Sequence, residues 1–549
     1  MDQFSVLDDE NVDEEEEEEN ISLERPANSI VLLTCGNFAF MSYATYKPKV
    51  SCIRNETEGS KQHTTHTSIL VLDKEHHDLF CNLYNNGSCA EIKWEAPFGT
   101  IIEEWELICD KDWIPETINS CQMAGTVFAI FFSGICADFL GRKRVFLATL
   151  VIMYASLVLS TLVHNPLHFA VIRFFIGGML AASSVTNFVW GMELTDQKHN
   201  VIVNCAQLWH FAYMASAGLA YVFDDWRSYT WSIVVLCSPL LILYHCYGES
   251  PRWLIHQGRM AEAAAHLEKI ARKNRPLGQA PSFSSAHLDS IPRQDESEAG
   301  CFLSNVCQLF ATKQLAMFTL TLLLTFCASA AAAMAYIFEV SEMTGHPSLK
   351  FLLYGLGRMW IPFAIFALDR WWPSFGRRAM LLWPMAAVTI CYLVVAATNA
   401  VQPNETVTTG GLFVGAVLVN FNWVALGQFN TELYPTPLRN TATAFTGILD
   451  PFTGIIMPQL IYLQKYWISL PFIFVAVTCV LASTAAYLIL PETKGHPLPE
   501  TAEDMRHLRL HYHNLSCCQG KLKRGVSVSQ CCGEDEPLMD AVQFDVLDD

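Results

Sequence analysis

Apolar residues fall along this chain in long blocks, and the spacing of those blocks governs the rest of the reading. A hydrocarbon core of about 30 Å takes roughly 20 residues of helix to cross. Twelve stretches reach that length: 27–46, 118–139, 144–163, 167–191, 201–222, 229–247, 314–338, 349–369, 379–398, 410–430, 441–463 and 467–490. Several are interrupted by Gly, Pro, Asn or an acid, as expected of helices with one face on an internal cavity. The polar segment 248–313 separates the first six from the last six. The expected fold is therefore an all-α integral membrane protein of twelve transmembrane helices in two six-helix bundles, 27–247 and 314–490. The remaining parts are an N-tail (1–26), a loop inside the first bundle (47–117), the linker and a C-tail (491–549).

Orientation follows from the short loops. Basic clusters occur at Arg142-Lys143-Arg144, from Arg252 to Arg275, at Arg377-Arg378 and at Lys521, Lys523 and Arg524. Lys and Arg near helix ends mark the cytosolic side, so both tails are expected inside, as an even number of spans requires. The loops 47–117 and 399–409 then face outward. They carry the glycosylation sequons at Asn55, Asn86 and Asn404, whereas the match at Asn514 falls inside and should go unused. The acidic N-terminus is unlike the basic start of a signal peptide. The expected setting is the plasma membrane, multi-pass, with an endosomal or vesicular pool, and the bilayer is the first partner.

Composition agrees. Apolar residues make up 52% and charged residues 16%, and the mean hydropathy is +0.25, which points to lipid as solvent. The net charge of −19 looks like a signal for a basic partner, but the two tails supply −16 of it. The run Glu14–Glu19 reads as a solvated acidic tail, and nothing in the sequence points to nucleic acid. Of nineteen cysteines, Cys52, Cys81, Cys89 and Cys109 share the outer loop and are the disulfide candidates. Others sit singly in apolar blocks as small hydrophobes. No metal-ligand spacing, nucleophile–base set or phosphate loop occurs, so no metal, cofactor or enzymatic activity is expected.

The loop after the second block reads Gly134-Ile-Cys-Ala-Asp138-Phe-Leu-Gly141-Arg142-Lys143-Arg144. Small residues there permit close helix approach and a tight turn, and the basic run holds the turn at the cytosolic interface. The pattern resembles the signature of the major facilitator superfamily. Glu249-Ser-Pro-Arg252-Trp-Leu254, Glu432-Leu-Tyr-Pro-Thr436 with Arg439-Asn440, and Pro491-Glu-Thr-Lys-Gly495 follow in order. Thr100–Cys109 and Asp225-Trp-Arg227 add to the set. Together with the Cys-bearing outer loop and Pro497-Leu-Pro-Glu-Thr501, they resemble the organic cation and anion transporters, solute carrier family 22. The resemblance covers about residues 100–505 and implies ATP-independent movement of small organic ions, with a lean toward cations. Anion or zwitterion carriage, or a transport-inactive receptor or scaffold, are the alternatives. Three departures bear on the substrate, the first being an N-terminus without the amphipathic entry segment that the resemblance leads one to expect. Asp369 is separated from Gly376-Arg377-Arg378 by Trp371-Trp372-Pro373, and the seventh span reads Ala330–Ala333, Met334, Ala335, Tyr336.

An ionisable group inside a span is a functional candidate, because its burial is costly unless paired or wet. Asp450, followed by Pro451, is the sharpest case. Proline disfavours helical geometry at the residue before it and frees carbonyls nearby. The resemblance implies an aspartate in cation carriers one position later, where Pro451 stands, and arginine in anion carriers. Asp450 reads either as a substrate or proton site, or as a structural partner for another helix. Trp209, Tyr213, Tyr336, Phe338, Phe421 and Trp423 supply rings for cation–π contact or simply for packing. His210 and Glu339 read as a packed histidine and a water-facing acid. Gly134, Asp138, Gly141, Arg142, Glu193, Glu249, Arg252, Glu432 and Arg439 are expected at the inner gate.

The tails carry a near repeat, Gln3–Asp9 and Gln543–Asp549, and an acidic dileucine-like stretch, Glu534–Met539. Each reads as a docking motif for a cytosolic sorting or scaffold protein, or as plain acidic tail. The pairs Cys517-Cys518 and Cys531-Cys532 are palmitoylation candidates.

Overall fold

A computed structural model describes residues 29–56, 66–71, 77–89, 91–194, 209–246, 248–274, 306–372 and 375–494. The tails, with the near repeat, the sorting motif and Asn514, lie outside the described residues.

Helix α1 (Ser29–Ala44) leads into the outer loop, which contains strand β1 (Lys49–Glu56), β2 (His66–Val71), helix α2 (His77–Asn85), β3 (Glu91–Glu95) and α3 (Ile101–Trp105). Three helices follow: α4 (Ile114–Leu140), α5 (Arg142–Thr161) and α6 (Pro166–Leu194). Then come α7 (Trp209–Val222), α8 (Trp226–Cys237) and α9 (Pro239–Cys246), with two short helices, α10 (Pro251–His256) and α11 (Met260–Asn274), in the linker. The second half holds α12 (Lys313–Glu339), α13 (Pro347–Met359), α14 (Ile361–Trp371), α15 (Arg377–Val401) and α16 (Glu405–Glu432). It ends with α17 (Thr436–Gly447), α18 (Leu449–Tyr462) and α19 (Leu470–Ile489). Among the described residues, nine helical segments are long and apolar enough to cross a membrane. α1, α7 and the α8–α9 pair occupy the other three expected positions.

Three of the twelve blocks are broken in two, at Ser238, Trp360 and Ile448. Proline explains the first two. Pro239 opens α9, and Pro362 sits in the first turn of α14, where no amide hydrogen bond is required. The third break falls at Ile448, ahead of the expected position. Asp450 and Pro451 lie in the first turn of α18, which tolerates proline for the same reason.

The outer loop adds a sheet to the expected all-α architecture. Its order is β2-β1-β3, all antiparallel, with Asn55 opposite Thr67 and Cys52 opposite Ile92. Disulfides join Cys52 to Cys89 and Cys81 to Cys109. The loop is fastened to the first half at Gly99, whose amide donates to Asp224 O (2.7 Å). The segments Thr100–Cys109 and Asp225–Arg227 meet there. Trp226 Nε1 and Arg227 Nη1 both donate to Glu104, and Arg227 also reaches the carbonyls of Thr161 and Val163 at 3.0 Å.

Candidate functional site

At the end of the bundle opposite the disulfide-bonded loop, charge is paired within each half. Arg142 joins Asp138 (2.9 Å) and Glu193 (3.1 Å). Glu249 accepts from the Lys143 amide at 2.9 Å and lies where a Cβ on Gly141 would stand, 2.5 Å from its Oε2. Gly141 also has φ +97°, so both space and backbone call for glycine. The second half repeats the device: Arg377 meets Glu432 (3.4 Å), and Glu492 accepts from the Arg377 amide (2.7 Å) and crowds Gly376. The longer link from Asp369 to Gly376 therefore leaves this part of the repeat standing. Of the other expected gate residues, Asp138 keeps 71% of its side chain exposed and Arg252 is exposed. Arg439 has Nε and Nη2 buried without a hydrogen-bond partner.

Gly134 needs a correction. Nothing lies within 4 Å of where its Cβ would stand, so it provides no close helix approach in this conformation. The close approach belongs to Gly125 and Gly177, where a Cβ would meet Phe174 O at 1.9 Å and Gln122 O at 2.0 Å. These two let α4 and α6 touch backbone to backbone.

Asp450 lies just past the break at Ile448. Its Oδ1 is buried and has no hydrogen-bond partner. One turn on, Thr453 reaches Cys327 Sγ of α12 (3.6 Å), next to Phe326, whose ring meets Trp423 edge-on at 5.8 Å. Trp423 thus reaches the neighbourhood of this acid by way of Phe326. Tyr213 and Tyr336 belong to a different cluster and meet through Tyr354 of α13, at 5.4 and 4.9 Å. Phe351 stacks on Tyr213 (6.1 Å) and touches Tyr43 of α1 (5.1 Å). Phe338 is buried, Trp209 is half-buried, and Phe421 packs between Trp360 and Trp383.

Ionisable residues inside helices also escaped the sequence reading, Arg173, Arg358 and Glu116 among them. Arg173 of α6 is fully buried, its guanidinium 3.8 Å from the Phe40 centroid, with all three nitrogens lacking a hydrogen-bond partner. Arg358 lies over Tyr354 (4.8 Å) and Tyr213 (5.5 Å), with Nε buried and unpartnered. Glu116, in the first turn of α4, is 1% exposed. The rule that singled out Asp450 would have found both arginines. Glu116 fell outside the apolar block 118–139.

The two halves join at the loop end. Ser42 Oγ donates to Ile337 O (2.7 Å), the Lys47 amide to Ser341 O (3.0 Å) and Ser120 Oγ to Ile455 O (2.8 Å). Lys47 is ion-paired with Glu342, and Lys465 with Asp112 at 2.7 Å. Burial opposes the charge on Lys47, but the Glu342 and Glu116 carboxylates outweigh it and hold the ammonium above its ordinary pKa. Glu339, read from sequence as water-facing, is instead buried and accepts from Gln464 (2.7 Å).

A helical bundle sealed at one end around buried, unpartnered charge is the architecture of a membrane transporter. The family model described as "Sugar (and other) transporter" matches residues 68–505, and the chain belongs to that family. It is 27% identical to the organic cation transporter protein of Drosophila melanogaster, over 73% of each chain. It is 27% identical to solute carrier family 22 member 4 of Mus musculus, over 75% of this chain and 73% of the relative. With solute carrier family 22 member 1 of Bos taurus it shares 28%, over 84% and 80%. An inward-open structure of the xylose transporter XylE from E. coli superposes with a TM-score of 0.58 at 15% identity, covering 88% of this chain and 99% of that one. The major facilitator fold and the resemblance to solute carrier family 22 are both borne out.

Proposed function

We propose that the chain moves small organic cations across the plasma membrane by alternating access, with both termini in the cytosol. Residues 27–247 and 314–490 act as the two moving bundles. The observation that carries the reading is Asp450, a carboxylate at a helix break in the membrane with one oxygen buried and unpartnered. The residue is only half-buried, so a cation can approach its carboxylate from the side that remains open and compensate the charge. The conformation fits a carrier open to the cytosol, since the bonds between halves cluster at the loop end while Arg142 and Arg377 pair within their own halves. The test is uptake of labelled cations, anions and zwitterions into expressing cells by wild type and Asp450→Asn. Saturable cation uptake that collapses in a variant still delivered to the surface is expected. Saturable anion uptake alone overturns the cation assignment, and no uptake of any class leaves a receptor or scaffold.

Arg358 favours a second reading, carriage of zwitterions or anions. Its guanidinium lies against two aromatic rings with Nε unpartnered, a place for a carboxylate group. Zwitterion uptake sensitive to both Arg358→Met and Asp450→Asn distinguishes it.

A further inference from the structure

The carboxylates of the loop-end seal outnumber the lysines that face them. Lys465 is matched by Asp112, with Tyr462 donating to the same acid, and Lys47 is matched by Glu342. Glu339 is bonded by Gln464 and, with Glu405, acts on Lys350 of α13. From α6, Arg173 lies over the rings of Phe40 and Phe169. That leaves Glu116, on which Lys47 and Glu342 are the charged groups that act. Its Oε2 accepts from Asn119 Nδ2 at 3.2 Å, while Oε1 has neither a partner nor surface for a water to touch. An unpaired carboxylate is not stable at such a place. A metal ion or a water needs room that Oε1 does not have, whereas a proton occupies no volume.

We infer that Glu116 is a proton-binding site of the outer gate, protonated while the gate is sealed and releasing its proton to the outer solution when the halves part. The inference rests on the alternating-access reading above, and it makes the proton a coupling ion of the cycle. Opening at the loop end separates Lys47 from Glu342 and brings water to Glu116, so its ionised form becomes affordable only in the open state. High external pH then favours the open gate and low pH the sealed one.

Two measurements on the full-length purified protein in vesicles test this. Infrared difference spectra between wild type and Glu116→Gln should show the carbonyl stretch of a protonated carboxylic acid only in wild type. Glu342→Gln leaves Lys47 free to pair with Glu116 and should abolish the same band without altering Glu116. The second readout is labelling of Ser42→Cys by an impermeant maleimide, read against the parent lacking that cysteine. Maleimide reacts with the thiolate, so labelling rises with external pH in any case; it should rise severalfold more steeply without Glu116→Gln than with it. A band unchanged in Glu116→Gln, or a rise of labelling with pH that is as steep with Glu116→Gln as without it, overturns the inference. Failure of the carrier reading looks different: Ser42→Cys stays unlabelled at every pH, even with Lys47→Met, while the band persists.

Discussion

At Gly141 two constraints coincide, a left-handed φ and the carboxylate of Glu249 against the Cα. Gly141→Ala should cost about 1–3 kcal/mol through backbone strain alone, seen as a lower melting temperature of the solubilised protein. Gly134→Ala meets open space inside α4 and should leave stability unchanged or raise it by up to about 1 kcal/mol. The same motif thus holds one glycine the fold requires and one it does not, and equal effects would contradict this. Asp450→Asn keeps shape and removes charge. Loss of one member of a partly desolvated pair costs a few kcal/mol, about two decades in affinity, so the apparent affinity for cations should weaken by that much in uptake assays. The ionisable residues of this site were legible in principle, because charge inside an apolar block stands out. What they touch was not. That Tyr213 and Tyr336 share Tyr354, while Trp423 reaches Asp450's neighbourhood by way of Phe326, depends on helices far apart in sequence.

Among the elements, helices were the most legible: α12 spans Lys313–Glu339 where the apolar block ran 314–338. Breaks were less so, because a proline early in a helix and a proline that ends one look alike in sequence; Pro451 proved to be the former. The outer sheet was invisible, since strands such as Lys49–Glu56 are short and lack strict apolar alternation. Its cohesion leans on covalent links. Removing Cys81–Cys109, which closes 28 residues, by a double Cys→Ser change should cost roughly 3 kcal/mol. Proteolysis of the 47–117 loop on intact cells should then speed up while the bundle stays folded. Asn86, exposed in the turn after α2, is the sequon best placed for a glycan, with Asn404 next. Asn55 sits in the central strand of the sheet. Single Asn→Gln changes read by glycosidase mobility shifts check the order, and a glycan on Asn514 would reverse the orientation.

For the whole molecule, the loop-end ion pairs bias one conformation against the other. A partly exposed pair contributes up to about 1 kcal/mol, roughly a fivefold change in population. Lys465→Ala should raise the outward-accessible fraction by up to that factor, read as labelling of Ser42→Cys, and Asp112→Lys with Lys465→Asp should restore it. Three further cross-half bonds have another character. Ser42, Lys47 and Ser120 all donate to main-chain carbonyls, those of Ile337, Ser341 and Ile455. A carbonyl is supplied by whatever amino acid occupies the position, so this part of the seal asks little of the residues that accept it. Lineages of such a carrier can exchange Ile337, Ser341 or Ile455 as substrates diversify without losing these three bonds. Drift on the donor side is far less free, and Ser42 and Ser120 are where descendants of this chain should change most slowly.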